Sequence, residues 1–482
     1  MEKIDWTASV MDFFAEICKL PRPSGHEEKV GEYLKDFAAK RGLGFKQDKI
    51  GNVVISKPAS AGMENRRTVI LQAHQDMVCE KDASVSHDFF NQPIETYIED
   101  GWLKAKGTTL GADDGMGIAM ALAILDSDEI KHGPLECLFT VSEETGLCGA
   151  QELQPDMMNG TMLINLDSED EGEIFIGCAG GVRTNIEFDY AKEEIPEGFF
   201  FVNISVDKLH GGHSGDDIDK GFGNANKILN RFLYESMDKY DLRLCSFDGG
   251  NLHNAIPRDA AAVIAVPSKD KEALRVDFNI FADKIQSELR STEKSVEFRM
   301  ESADSRQYCI DSQTARNFIT AVQGAVNGVF AMCMDIPGMV ETSSNLASVR
   351  TLDSIIRITT SQRSSVESCK WDVAHTIGAI FSLAGARIEF GEGYPGWAPN
   401  TDSALLQIAT STYRRLFNKE PKVRTIHAGL ECGLFLESYP NLDMISVGPT
   451  LRGVHSPSER LELCTVDMVF LHLIAMLQEI PE

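Results

Sequence analysis

Short, strongly apolar runs alternating with helical patterns set the character of the first part of the chain. Residues 52–56, 68–73, 135–141 and 162–166 are rich in Val, Ile and Leu, which predicts central strands buried on both faces. Residues 115–125 and 147–153 carry helical patterns between them. Such alternation predicts an α/β layer with a largely parallel sheet. Ahead of it, residues 1–40 predict two helices. Ser24-Gly25-His26-Glu27 has the S-x-x-E spacing of a capping box, parted from the preceding helix by Pro21 and Pro23.

The pattern changes from about residue 182. Strands at 199–206, 260–266, 295–300 and 353–360 now alternate with long amphipathic helices at 224–237, 271–289, 315–329 and 371–384, which reads as an α+β insertion ending near 386. The earlier pattern then resumes with a helix at 403–417, a strand at 442–447 and a closing helix at 466–480. The expected organisation is a core domain built from 1–181 and 387–482, interrupted by a second domain at 182–386. A chain of 482 residues is too long for one hydrophobic core, so two domains also suit its length.

Composition adds mainly exclusions. With 43% hydrophobic and 25% charged residues the chain is ordinary for a globular protein. A formal charge of −27 repels phosphate backbones, so nucleic acid is excluded as a partner. The start Met-Glu-Lys-Ile-Asp-Trp lacks the basic and apolar segments of a signal peptide, and the longest apolar stretch, 116–125, is well short of the roughly 20 residues that span a bilayer. A cytoplasmic protein without a membrane partner is expected. The eleven cysteines include no C-x-x-C pair, and Cys137 and Cys432 sit among apolar neighbours, so they read as reduced thiols packed as small hydrophobes.

Open α/β sheets bind ligands beyond the carboxyl ends of their strands. There the run 68–73 leads into His74-Gln75-Asp76, 135–141 into Ser142-Glu143-Glu144, and 162–166 into Asp167. Gly111-Ala112-Asp113-Asp114-Gly115 is a glycine-flanked acidic turn entering a helix, and 442–447 is followed by a loop bearing His455-Ser456-Pro457. Taken singly, each has a bland explanation as a cap, an Asx turn or a solvated loop. Their joint placement at the strand ends of one layer points to chemistry. Converging carboxylates repel one another unless cations neutralise them, and a mixed His/carboxylate set suits Zn²⁺ or Mn²⁺. Two such ions polarise a carbonyl and generate a nucleophile from water at neutral pH. The adjacent pair Glu143-Glu144 then divides the labour, one side chain for metal and one for proton transfer.

Five strings carry a resemblance: His74-Gln75-Asp76-Met77-Val78, Leu110-Gly111-Ala112-Asp113-Asp114, Ser142-Glu143-Glu144-Thr145-Gly146, Asn165-Leu166-Asp167-Ser168-Glu169 and Gly448-Pro449-Thr450 with His455-Ser456-Pro457. Together they resemble the signatures of the M20 metallopeptidases. Gly177-Cys178-Ala179-Gly180-Gly181 and His427-Ala428-Gly429-Leu430-Glu431-Cys432-Gly433 bring the chain closest to the aminoacyl-histidine dipeptidases of that family. The resemblance implies a zinc-peptidase-like α/β catalytic domain interrupted by an α+β lid domain. It implies two divalent ions per chain, Zn²⁺ ahead of Co²⁺ or Mn²⁺. Asp113, joined to Asp114 by a cis peptide, would bridge them; His74 and Asp167 would complete one shell, and Glu144 and His455 the other. Glu143 would be the general base that activates the bridging water, and Asp76 would orient His74.

In the inserted domain, His210-Gly211-Gly212-His213-Ser214-Gly215 resembles a lid motif whose second histidine stabilises the oxyanion. In related dimers it comes from the partner subunit, so His213 acts in cis or in trans and a homodimer through this domain is implied. Asn254 and Arg363 resemble substrate-binding positions, Arg363 suiting a terminal carboxylate by its planar fork. His427 and His455 both lie in loops, and either can supply the fifth ligand. His455 is preferred because its loop follows a core strand, leaving His427 and Gly429 for the substrate pocket. His26, His87, His132, His375 and His472 lack acidic partners and are assigned structural roles. The activity expected is hydrolysis of unblocked dipeptides, Xaa-His substrates such as β-alanyl-histidine included. Alternatives are a tripeptide aminopeptidase, carboxypeptidase or N-acyl-amino-acid deacylase with the same metal core, or a non-catalytic peptide-binding protein.

Overall fold

The computed structural model describes residues 6–482, which fall into two compact units. The first contains the chain up to Cys178, Trp397–Thr425 and Leu430–Glu482; the second contains Ala179–Gly396 and Ile426–Gly429. No helix among the described residues is long and apolar enough to cross a membrane.

The first unit is an α/β layer. Its eight-stranded sheet runs in the order Gly44–Gln47, Val53–Lys57, Leu135–Thr140, Val69–His74, Met162–Asn165, Asp443–Ser446, Glu173–Cys178, Lys422–Ile426. The four central strands, from Leu135–Thr140 to Asp443–Ser446, are mutually parallel, and antiparallel neighbours flank them. Val69–His74 and Leu135–Thr140 are buried at every position, as unbroken apolar runs require. The helix Ala112–Asp126 packs on Val69–His74 and is buried from Gly115 to Leu125. A small antiparallel sheet orders Leu451–Arg452, Arg460–Glu462, Trp102–Ala105 and Thr96–Glu99, and it makes the His455 loop a hairpin. Strands of two or three residues leave no periodicity to read in a sequence.

The second unit is built on a nine-stranded antiparallel sheet ordered Glu297–Ser302, Phe199–Asp207, Ala260–Pro267, Arg243–Gly249, Val340–Thr351, Ile355–Ser364, Gly180–Asp189, Arg387–Phe390, with Gly328–Met332 also on Val340–Thr351. The helices Ala225–Ser236, Lys271–Glu288, Ser312–Gly324 and Glu367–Leu383 share one apolar core with it, in which Phe188, Phe247, Phe318 and Phe381 meet edge to face.

Three expectations need correction. The inserted unit runs to Gly396, beyond residue 386, because Arg387–Phe390 pairs with Gly180–Asp189 as the outer strand of the inserted sheet. The helix expected to reach residue 329 ends at Gly324; Ala325 is extended, and Gly328–Met332, with the β-forming Val329 and Phe330, is a strand. Finally, Ser24 and Glu27 do not form a capping box. The helix Glu28–Arg41 begins directly after Glu27 with no side-chain cap, and both side chains are engaged elsewhere.

The histidines assigned structural roles have no acidic neighbours in hydrogen-bond contact. His472, on the closing helix Leu463–Glu479, donates from Nε2 to Ala409 O (2.8 Å), tying that helix to Ala404–Phe417. Burial holds its pKa down to about 4, so the folded ring stays neutral. The unfolded chain takes up a proton below its ordinary value near 6.5. This contribution to stability is therefore complete above that value and is lost as pH falls toward 4. Between pH 7.5 and pH 5 the loss is about 2 kcal/mol. In urea unfolding, His472→Gln should flatten the decline between these two pH values by about that amount; an unchanged slope would exclude His472 as its source.

Candidate metal centre

Parallel register brings the strand ends together. His74 is the last residue of Val69–His74; Asp167 lies two residues past Met162–Asn165, and Glu143 and Glu144 lie just beyond Leu135–Thr140. Asp113 enters from the turn before the buried helix, where its peptide to Asp114 is cis and Gly111 adopts φ 68°. His455 enters from its hairpin with φ 59°.

The five side chains form two groups that share Asp113. His74 Nε2 lies 2.9 Å from Asp113 Oδ1 and 3.5 Å from Asp167 Oδ1. His455 Nε2 lies 3.2 Å from Asp113 Oδ2 and 3.0 Å from Glu144 Oε1. Donors bound tetrahedrally at Zn²⁺ distances are spaced about 3.3 Å apart. Ligand atoms of His74, Asp113 and Glu144, and of His74, Asp114 and Asp167, also lie within 4.8 Å of one another. Asp114 is nevertheless the weaker candidate, because its oxygens accept from the backbone N–H groups of His74 (3.3 Å) and Gly117 (3.1 Å). Asp113 is the carboxylate that faces both imidazoles.

The electrostatics of this cluster fit a bound cation pair. Burial raises the Asp167 carboxyl well above its ordinary range, and the charges of Asp113 and Asp114 add to the effect while His74 opposes it. Burial likewise raises Glu143, with Asp167, Glu144 and Glu431 adding to it. The histidines are drawn the opposite way. Hydrogen-bond contacts with Asp113 and then Glu144 push His455 up to about 11, and His74 is raised despite its burial by Asp167 and Asp113. Glu144 Oε1 is buried without a hydrogen bond, although His455 Nε2 is close to it. Imidazoles and carboxylates crowded in this way are the donor set of a Zn²⁺-type ion, and they fit two such ions with Asp113 between them.

A frame of buried polar groups fixes these ligands. Asp76 Oδ1 lies 3.3 Å from His74 Nδ1, and the same carboxylate accepts from the N–H groups of Glu143 (3.0 Å) and Glu144 (3.2 Å). Ser24 donates to Asp76 (2.7 Å), and Glu27 accepts from Ser142 N (2.9 Å). Buried Arg22 donates to Gln75 O (3.0 Å), Asp76 O and Gly111 O, clasping the His74 strand end to the Asp113 turn. Buried Glu459 accepts from the backbone of Leu110, Gly111, Ala112 and Asp113 at 2.7–3.4 Å. One rung below the ligands, Glu431 accepts from Gln72 (2.6 Å) and Thr140 (2.8 Å), and Gln72 accepts from Asn165 (2.5 Å). Burial pushes Glu431 up to about 7. Sequence reasoning assigned none of these supporting roles to Arg22, Glu459 or Glu431. Position offers the only signal, since Glu459 lies just after the His455 motif and Arg22 just before Ser24.

In the second unit, His213, Arg363 and His427 cluster. Arg363, near the end of Ile355–Ser364, places Nη2 3.4 Å from His213 Nε2. His213 Nδ1 lies 3.4 Å from Asp216. The Asn254 loop is joined to the His213 turn by Ser214 N donating to Asn254 O (2.8 Å); no side-chain contact ties Asn254 to the cluster. His427 is buried, shares a 2.7 Å hydrogen bond with Ser343 Oγ, and is held down to about 3 by burial and then by Arg363. It belongs to the second unit, with Gly429 on the same short segment.

The chain matches the family model described as Peptidase family M20/M25/M40 over residues 70–481. It is 43% identical to the cytosol non-specific dipeptidase of Escherichia coli (strain K12), over 470 residues covering 98% of this chain and 97% of that protein. The crystal structure of aminoacylhistidine dipeptidase from Vibrio alginolyticus is similar with a TM-score of 0.93 and 42% identity, covering 98% of this chain and 97% of that one. Aminopeptidase PepT from Bacillus cereus ATCC 10987 shares the fold at a TM-score of 0.58 and 15% identity, over 99% of both chains.

The grip of Glu459 on the Asp113 turn can be measured. Glu459→Ala leaves four backbone N–H groups without their acceptor and should cost about 3 kcal/mol of unfolding free energy, with weaker Zn²⁺ binding in calorimetry. Wild-type values for both would mean that the turn is held by other contacts.

Proposed function

The chain belongs to the M20/M25/M40 peptidase family, and from that premise we propose that it is a two-metal dipeptidase acting on unblocked dipeptides, Xaa-His substrates included. The observation that carries this reading is Asp113 lying between His74 and His455, each with its own second carboxylate. In this reading His74, Asp113 and Asp167 hold one ion, and Asp113, Glu144 and His455 the other, with Zn²⁺ the ion expected. Bound there, the ions supply Lewis-acid polarisation of the scissile carbonyl and make water acidic enough to ionise near neutral pH.

The chain's own groups divide the remaining work. Glu143 is the general base. Its backbone is fixed by Asp76, its carboxylate makes no hydrogen bond within the described residues, and burial raises its proton affinity toward the working range. It takes a proton from the attacking water and returns it to the leaving amine. Asp76 positions both His74 and the Glu143-Glu144 loop. His213 donates to the oxyanion, Arg363 binds the terminal carboxylate, and Asn254, His427 and Gly429 complete the substrate site. The names of two similar proteins support a dipeptide substrate, and they differ on breadth, one being non-specific and the other aminoacyl-histidine. A cytosolic setting and self-association through the inserted unit belong to the same reading. The first is supported by the Escherichia coli relative's name, the second by the exposed apolar side chains Phe330 and Met332 on the strand Gly328–Met332 and Met334 just after it.

Glu143→Gln is the direct test of mechanism. Metal content should stay at about two ions per chain while kcat falls by about 10²–10⁴-fold; near-normal turnover would remove Glu143 as base. Substrate class is tested by rates on β-alanyl-histidine, Ala-His, other dipeptides, a tripeptide and an N-acetyl amino acid. Dipeptides with free termini should be cleaved fastest, and preference for the tripeptide or the acetylated compound would overturn the dipeptidase reading.

A further inference from the structure

Arg363 is buried, yet its charge has no anionic partner. Nη1 donates to Tyr394 OH (3.1 Å), Nη2 faces the His213 ring, and Nε is buried without a hydrogen bond. No carboxylate among the described residues pairs with it, and Asp216, the acid nearby, lies against His213. A buried guanidinium in that state calls for an anion.

The unit goes to unusual lengths to place Tyr394 beside it. The Tyr394 backbone exchanges two hydrogen bonds with Gly181, at 2.9 and 3.0 Å. Lys370, the one lysine buried among the described residues, donates to Tyr394 O (2.7 Å). The ring lies in a slot that two glycines leave open. A Cβ on Gly181 would meet ring atoms at 2.8–2.9 Å, and one on Gly429 would meet them at 2.9–3.3 Å. The hydroxyl accepts from Arg363, so its own proton is free to be donated.

Resting on the reading of Arg363 as the carboxylate site, we infer that Tyr394 is a second specificity-determining residue there, donating its O–H to the substrate's terminal carboxylate beside the guanidinium. Gly181 and Gly429 then act indirectly, by leaving room for the ring. The pair selects a free carboxylate because a C-terminal amide offers no charge to Arg363 and a weaker acceptor to Tyr394.

The test is Tyr394→Phe in the metal-loaded enzyme, which keeps the ring and its packing. The readouts are KM and kcat for a dipeptide and the inhibition constant of the corresponding dipeptide amide. KM should rise about 10- to 100-fold, the loss expected for one hydrogen bond to a charged group, with kcat within about threefold. The amide's inhibition constant should stay within about twofold. An unchanged KM, a loss confined to kcat, or equal weakening of acid and amide would overturn the inference. Arg363→Met, run in parallel, separates the two claims. If it leaves the acid-to-amide preference intact, the carboxylate-site reading itself fails; if it abolishes the preference while Tyr394→Phe preserves it, only the role of Tyr394 fails. Gly181→Ala provides an independent arm, and by displacing the ring it should raise KM in the same acid-selective way.

Discussion

The candidate centre rests on one electrostatic constraint: the carboxylates of Asp113, Asp167 and Glu144 converge on His74 and His455 at N–O separations of 2.9–3.5 Å, where like charges repel. Such an arrangement does not persist on its own. It has to be fixed by groups that do not themselves bind metal, and the surrounding frame does this by backbone contacts. Arg22 donates to carbonyls of the Gln75-Asp76 and Gly111 turns, Glu459 gathers the N–H groups of that second turn, and Asp76 joins the Glu143-Glu144 loop to His74. These are charge-assisted hydrogen bonds in a low-dielectric interior, where they are strong and where losing one partner is costly.

That division explains how much could be read from the chain. The central strands announce themselves because strands buried on both faces must be continuously apolar, and the candidate residues announce themselves because a parallel sheet brings its strand ends together. The frame is silent for a physical reason. Arg22 and Glu459 bond to main-chain atoms, which every residue carries, so no complementary residue type marks them. Ser24 and Glu27 misled for a related reason: an S-x-x-E spacing is compatible with a helix cap, but tertiary partners in the loops of Asp76 and Ser142 outcompete the local one.

The inserted unit shows the same limit in its sheet. Val340–Thr351 is a long central strand, yet Thr342, Ser343, Ser344 and Asn345 give it no apolar alternation. It is stable in the interior because those side chains are satisfied: Thr342 by Ser364 (2.9 Å), Ser343 by His427 (2.7 Å), and Asn345 by Ala255 O (2.8 Å). Hydrophobic periodicity detects burial that is driven by apolar area. It cannot detect burial whose cost is offset by hydrogen bonds, and in both units that kind of burial lies beside the candidate chemistry.

The atoms left unsatisfied therefore carry more information than the satisfied ones, provided charge is considered. Asn226 and Asn230, on the helix Ala225–Ser236, each bury an unbonded oxygen inside the second unit. A neutral amide oxygen left so costs only a modest amount. Arg243 also buries an unbonded Nε, but its charge is met by Glu193 and Asp241. Glu144 and Arg363 differ from all of these. Both are ionisable: Glu144 Oε1 is buried with only the His455 ring 3.0 Å away, and Arg363 buries an unbonded Nε with no carboxylate of the described residues paired to its guanidinium. On the proposed reading the first belongs to the cation site and the second to the binding of the substrate's carboxylate.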